Sequence, residues 1–184
     1  DIWIDGLESK YDIEQTTTNI TLSSGTGNAH TIAANGTMAA SKSATTPSAQ
    51  TYIKGSTAKE FLRLNLQAGS GEDISVTSLT FDLYKNITNV STASGDLTNV
   101  KLLKSDGTQL GSTVAAPTTQ AAFSFSLNVP ASETLTLKVI ADIPTGTAAT
   151  TTYFVLTAAA NMDSEGVASA ATITETGFAV TGNT

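Results

Sequence analysis

Between Phe61 and Ala68 every second residue is apolar. Leu62, Leu64, Leu66 and Ala68 fall on one side of the chain, and Arg63, Asn65 and Gln67 on the other. Successive side chains of a strand point to opposite faces, so this period of two predicts a strand with one buried face. The pattern returns at Ile74 and Val76, changes phase at Thr77–Ser78, and resumes through Leu79, Phe81 and Leu83. A phase change inside one alternating run is the mark of a β-bulge. Phe123, Phe125, Leu127 and Val129 alternate with Ser124, Ser126 and Asn128 until Pro130, and Leu135, Leu137, Val139 and Ala141 do so before Pro144. Val100 and Leu102, then the turn Ser105-Asp106-Gly107, then Gln109 to Val114 read as a hairpin. Thr16 to Leu22, Tyr153 to Ala160 and Phe178 to Thr181 supply further strands, while residues 33 to 50 are weakly patterned and read as an irregular connector. No segment keeps helical periodicity for a full helix. About eight or nine short strands separated by turn residues predict an all-β fold. The expected architecture is an Ig-like, Greek-key or jelly-roll-like β-sandwich with an extended N-terminal arm, divided as residues 1–22 and 23–184.

The outward positions of these strands are filled by hydroxyl residues. The 184-residue chain holds 33 threonines and 19 serines, more than a quarter of its length. Threonine is stiff at χ1 and suits a pleated strand, and its hydroxyl keeps a solvent face wet without charge. Charged residues make up only 14%, with a formal net charge of −7. Nine scattered basic residues in an acidic chain exclude a phosphate-binding surface, so no nucleic-acid partner is expected. No apolar run approaches the roughly 18–20 residues of a membrane helix, and no membrane insertion of the mature chain is expected. Cysteine is absent, which fits either a reducing compartment or a surface protein without thiols. Low charge with abundant Thr, Ser and Ala favours an extracellular or cell-surface location.

Several phrases carry a family resemblance: Gly55-Ser-Thr57, Phe61-Leu-Arg-Leu64, Glu72-Asp-Ile-Ser-Val-Thr-Ser-Leu79, Asp96-Leu-Thr-Asn-Val-Lys-Leu102, Asp106-Gly-Thr-Gln-Leu-Gly111, Val129-Pro-Ala-Ser-Glu-Thr-Leu-Thr-Leu137 and Ala141-Asp-Ile-Pro144. In this order they resemble an Ig-like β-sandwich module of bacterial and archaeal cell-surface proteins of the S-layer, sheath and filament kind. The resemblance spans the chain from Tyr52 onward and is one of pattern. It implies a surface location and a structural role, and it assigns no functional residues. Such modules usually occur in tandem, whereas this chain holds one copy after an acidic N-terminal segment.

That segment differs from the rest. Residues 1–14 hold five acids and one base and include the only tryptophan, Trp3. With Ile2, Ile4 and Leu7 beside it, Trp3 could enter a neighbour's sheet edge and add a strand, which repeated head to tail gives a homopolymer. The same residues could instead form the first strand of their own sandwich or an untethered terminus. Asn19, Asn35, Asn86 and Asn89 each begin an Asn-X-Ser/Thr triplet and are candidate N-glycosylation sites in a secreted chain. Calcium is the one cofactor the acids could hold. The candidates are Asp5 and Glu8, Glu72-Asp73, Asp96, Asp106, and Asp163 with Glu165, none at EF-hand spacing. His30 is the sole histidine and lies in no nucleophile-elbow pattern, so no enzymatic role is expected. The expected function is a structural subunit of an extracellular filament, tube or surface layer, joined by N-terminal strand donation. The alternative is a carbohydrate-binding or adhesin module of a larger surface protein, for which Trp3, Tyr11, Tyr52, Tyr84 and Tyr153 are the available aromatics.

Overall fold

The computed structural model describes residues 4–5, 12–13, 36–85, 89–90, 95–148 and 151–183. The chain divides into two compact units, Asp1–Ile32 and Ala33–Thr184. In the first unit, β1 (Ile4–Asp5) pairs antiparallel with β2 (Asp12–Ile13), Ile4 opposite Ile13 and Asp5 opposite Asp12. Thr16–Leu22 lies outside the described residues.

The second unit is an all-β sandwich. Its strands are β3 (Thr37–Lys42), β4 (Lys59–Ala68), β5 (Ile74–Lys85), β6 (Asn89–Val90), β7 (Thr98–Lys104), β8 (Gln109–Val114) and β9 (Gln120–Val129). Then follow β10 (Thr134–Asp142), β11 (Thr152–Leu156), β12 (Met162–Gly166), β13 (Thr174–Thr176) and β14 (Val180–Thr181). One sheet runs β13-β3-β4-β10-β7-β8, antiparallel except for the parallel pair β13–β3. The other is built around β5. Its Ile74–Asp82 stretch pairs with β9 on one side and, over Ile74–Leu79, with β12 on the other. Further along, β5 pairs with β6 and β11, and β11 with β14.

The alternation read from the sequence sets this packing. Leu62, Leu64 and Leu66 of β4 meet Phe81, Phe123 and Phe154 of the second sheet in one core, all nearly inaccessible to solvent. Phe81 lies edge-on to Phe123 at 6.2 Å and Phe61 to Phe154 at 5.7 Å, an arrangement favoured by the ring quadrupoles. The ladder register shifts between Val76 and Ser78, the bulge that the phase change at Thr77–Ser78 predicts. The Ser105-Asp106-Gly107 turn joins β7 to β8, with Gly107 at φ +91° and the Thr108 N–H on Asp106 Oδ1.

Two regions differ from the sequence reading. Residues 33–50 hold strand β3 rather than only an irregular connector. Its inward residues are Met38 and Ala40, and alanine gives too little apolar contrast to show the period of two. Strand β12 lies where the sequence pointed only to the acids Asp163 and Glu165. It buries Met162, Ser164 and Gly166 and exposes Asp163 and Glu165, so small inward residues hide its alternation.

Candidate functional site

Several of the acids named as calcium candidates accept hydrogen bonds that tie loops together. At one end of the sandwich, Glu72 accepts the Gly36 N–H (3.1 Å), the Ala168 and Ser169 N–H groups (3.0 and 2.9 Å) and the Ser169 hydroxyl (2.7 Å). These bonds, led by the Ser169 hydroxyl, hold the Glu72 carboxyl below the usual range. Its neighbour Asp73 accepts the Ala131 N–H (2.8 Å) and the Asn128 amide (3.3 Å). The Glu72-Asp73 pair thus joins three chain segments that are remote in sequence. At the other end, Asp142 accepts from the Ala58 N–H (2.7 Å) and the Asn99 side chain (2.8 Å). Both donors belong to residues in the left-handed region, at φ +51° and +49°. The Ala58 N–H is the main reason that the Asp142 carboxyl also sits low.

Asp96 is the one buried acid among the described residues, at 3% exposure. Its Oδ2 lies 2.9 Å from Lys85 Nζ, and its Oδ1 accepts the Thr147 hydroxyl at 3.1 Å. A charge this deep in the protein requires such partners. Beside it opens a cleft of about 630 Å³, lined in part by Gln50, Tyr52, Lys54, Glu60, Asp96 and Asn183. The Tyr52 hydroxyl donates to the Glu60 carbonyl (2.9 Å) and accepts from Gln50 (2.7 Å). The sequence offers Asp96 only as a candidate calcium ligand. Its partner Lys85 is the last residue of a strand whose alternation points it inward, a signal that was legible in principle.

No group of three or more His, Cys, Asp or Glu side chains among the described residues is arranged to hold a metal. Asp163 accepts the Thr77 hydroxyl (3.0 Å), and Asp106 serves its own turn. The side chains of Asp5 and Glu8 lie outside the described residues. So do Ile2, Trp3, Leu7, His30, Asn19, Asn35 and Asn86. Ile4 is placed in β1 and Asn89 in β6, opposite Lys85 of β5. Of the dispersed aromatics, Tyr84 and Tyr153 come together: they face each other in the β5–β11 ladder and stack at 5.3 Å, with Tyr153 buried.

The feature that sequence reading did not single out is the outer edge of β9. This ten-residue strand, Gln-Ala-Ala-Phe-Ser-Phe-Ser-Leu-Asn-Val, carries no charge and no proline. Among the described residues its only ladder is to β5. Its other side meets β8 of the opposite sheet at a corner without a ladder. There Gly111 packs so closely that an added Cβ would lie 2.7 Å from the Ser124 carbonyl oxygen. Natural sheets usually protect a long edge with charge, proline, bulges or a covering segment. Here cover from β8 replaces charge and proline.

The chain matches no protein-family model, no curated protein and no solved structure.

Proposed function

We propose that the protein is a structural subunit of an extracellular filament, tube or surface layer, with residues 1–14 as a strand donated to a neighbouring copy. The observation that carries this reading is the β9 edge: long, uncharged and laddered on one side only. Where β8 does not cover it, as it does at Ser124, such an edge is a template for a further strand, whose backbone supplies affinity while alternate side chains set specificity. The first unit supports the donor role. Its described ladder has two rungs, and an isolated two-stranded hairpin is marginally stable at best in water. Strand-forming residues there gain by pairing elsewhere. The loop-tying carboxylates Glu72, Asp73 and Asp142 support a structural role, because each joins segments far apart in sequence.

Deleting residues 1–14 tests the proposal. Electron microscopy and sedimentation should show polymers for the full chain and folded monomers for the shortened one. Polymers that persist with folded, shortened subunits would falsify strand donation.

A second reading, a carbohydrate-binding or adhesin module, draws on the cleft at Tyr52. Its volume suits a small ligand, and its lining mixes the rings of Tyr52 and Phe61 with amide and charged groups. Glycan binding by a monomer, abolished by Tyr52→Ala, would favour it.

A further inference from the structure

The two outer faces of the sandwich differ in charge. In the β13–β8 sheet, register places Arg63 opposite Lys138, and Lys138 opposite Leu103; two residues along, Ile140 lies opposite Lys101. These residues point away from the core, so Arg63, Lys138 and Lys101 form one basic patch across β4, β10 and β7. Adjacent strands lie about 4.8 Å apart and alternate residues about 6.8 Å, which sets the patch about 10 Å across. Glu60 and Asp142 moderate it: Glu60 pairs with Arg63, and Asp142 feels Lys101. The outer face of the β5 sheet is the opposite. Asp163 and Glu165 project from β12 and Asp82 from β5, among Ser75, Thr80 and Ser124. The strands of that sheet hold one basic residue with a described side chain, Lys85, and it turns inward to Asp96.

We infer that these faces bind each other between copies: the Arg63–Lys138–Lys101 patch of one subunit docks on the Asp163–Glu165 face of a second copy of this chain. The inference rests on the structural reading above and names a contact distinct from the donated strand. Charge complementarity selects the occupant. In a chain of net charge −7, copies repel one another in most orientations, and this orientation sets bases against acids. The faces lie on opposite sides of the sandwich, so the contact is heterologous and propagates. Hydroxyl residues around the acids leave few bulky side chains between the approaching sheets.

A charge swap tests it. The pair Lys101→Glu/Lys138→Glu and, separately, Asp163→Lys/Glu165→Lys should each raise the concentration threshold for assembly about tenfold, the size of modest interfacial charge couplings. Mixed in equal amounts, the two variants are complementary only when they alternate, because one carries two acidic faces and the other two basic ones, so the decisive protein carries all four changes in one chain. Its threshold should return to within about threefold of the original. Raising NaCl from about 0.05 to 0.5 M should raise the threshold of the original chain, because screening shortens the reach of the charges. Urea midpoints and circular dichroism establish that each variant is folded. Should one fail, Lys101→Gln/Lys138→Gln and Asp163→Asn/Glu165→Asn take its place, with smaller shifts of the same sign. Unchanged thresholds in the single-face variants overturn the inference, as does a four-change chain that stays as impaired as either. Either result leaves the structural reading standing, whereas an original chain that never assembles refutes that reading itself.

Discussion

Replacing Gly111 by alanine probes the corner where the two sheets meet. Two costs add there. Gly111 has φ +65°, and a left-handed conformation costs a residue with a Cβ about 1–2 kcal/mol. The new methyl group would also lie 2.7 Å from the Ser124 carbonyl oxygen, closer than Cβ atoms normally approach, so β8 and β9 must separate. Overpacking of this kind costs about 1–3 kcal/mol. Against this, alanine stiffens the unfolded chain and returns about 0.4–1 kcal/mol. The expected loss is about 2–4 kcal/mol. Two other glycines separate the terms. Gly107 shares a positive φ, +91°, but nothing lies within 4 Å of its added Cβ, so its alanine variant should lose about 1 kcal/mol. Gly146 has neither feature, and alanine there should stabilise by about 0.4–1 kcal/mol. Urea unfolding followed by circular dichroism measures all three. With a denaturant slope of about 1–3 kcal/mol/M, the Gly111 variant should drop its midpoint by roughly a molar unit or more. Equal midpoints for the Gly111 and Gly107 variants would refute the argument, since the corner contact would then contribute nothing.

Asp96→Ala strands the Lys85 ammonium beside the core and should destabilise by about 3 kcal/mol, the lower end for a broken buried pair because Lys85 keeps 21% exposure. The paired change Lys85→Met/Asp96→Leu should recover most of that loss; a single-variant loss under about 1 kcal/mol in urea unfolding would show the pair to be incidental. For Glu72 the folded carboxyl titrates below its ordinary value, so its contribution is present above the unfolded pKa and is lost as pH falls through the folded one. Glu72→Gln should therefore lower the melting temperature at neutral pH and reduce its decline on acidification. Parallel melting curves for the two proteins across the acid range would contradict the role given to this carboxylate.

The strands with large inward residues were legible because their contrast is strong. Phe123 to Val129 or Leu135 to Ala141 set leucine, valine and phenylalanine against serine, threonine and lysine, and the structure buries the first set, Phe125 and Leu135 in part. Contrast fails where the inward residue is small, as at Ala40 in β3 and at Ser164 and Gly166 in β12, although the backbone pairs there as well. Roles that depend on long-range neighbours were less accessible. Nothing local announces that Glu72 will meet Gly36 and Ser169, or that Lys85 will meet Asp96. An acid after a Gly-Ser-Gly turn shows no local sign of the distant hydrogen-bond donors it will meet. The unladdered side of β9 was hidden for a related reason: whether a strand lies at an edge depends on topology, and alternation carries no information about that.

This division of the charges bears on how assembly would be controlled. A donated strand binds chiefly through backbone groups, which are the same along any edge, so it secures a joint but discriminates weakly between registers. A one-residue slip would send every donor side chain to the wrong face. On the uncharged β9 edge only apolar fit opposes such a slip. The faces could supply the missing discrimination, since charges fix orientation and penalise wrong contacts more than they add affinity. A structural chain with few charges gains most by placing them where they serve one of two purposes. Carboxylates such as Glu72, Asp73 and Asp142 accept N–H groups and hold the subunit's own loops. Lys101, Lys138, Asp163 and Glu165 lie on the outer sheet faces, where a partner's sheet could reach them, although Lys138 also donates to the Ser105 carbonyl and Asp163 accepts the Thr77 hydroxyl. On this division, reversing the face charges should disturb assembly and spare the melting temperature, whereas Glu72→Gln should lower the melting temperature whether or not the chain assembles.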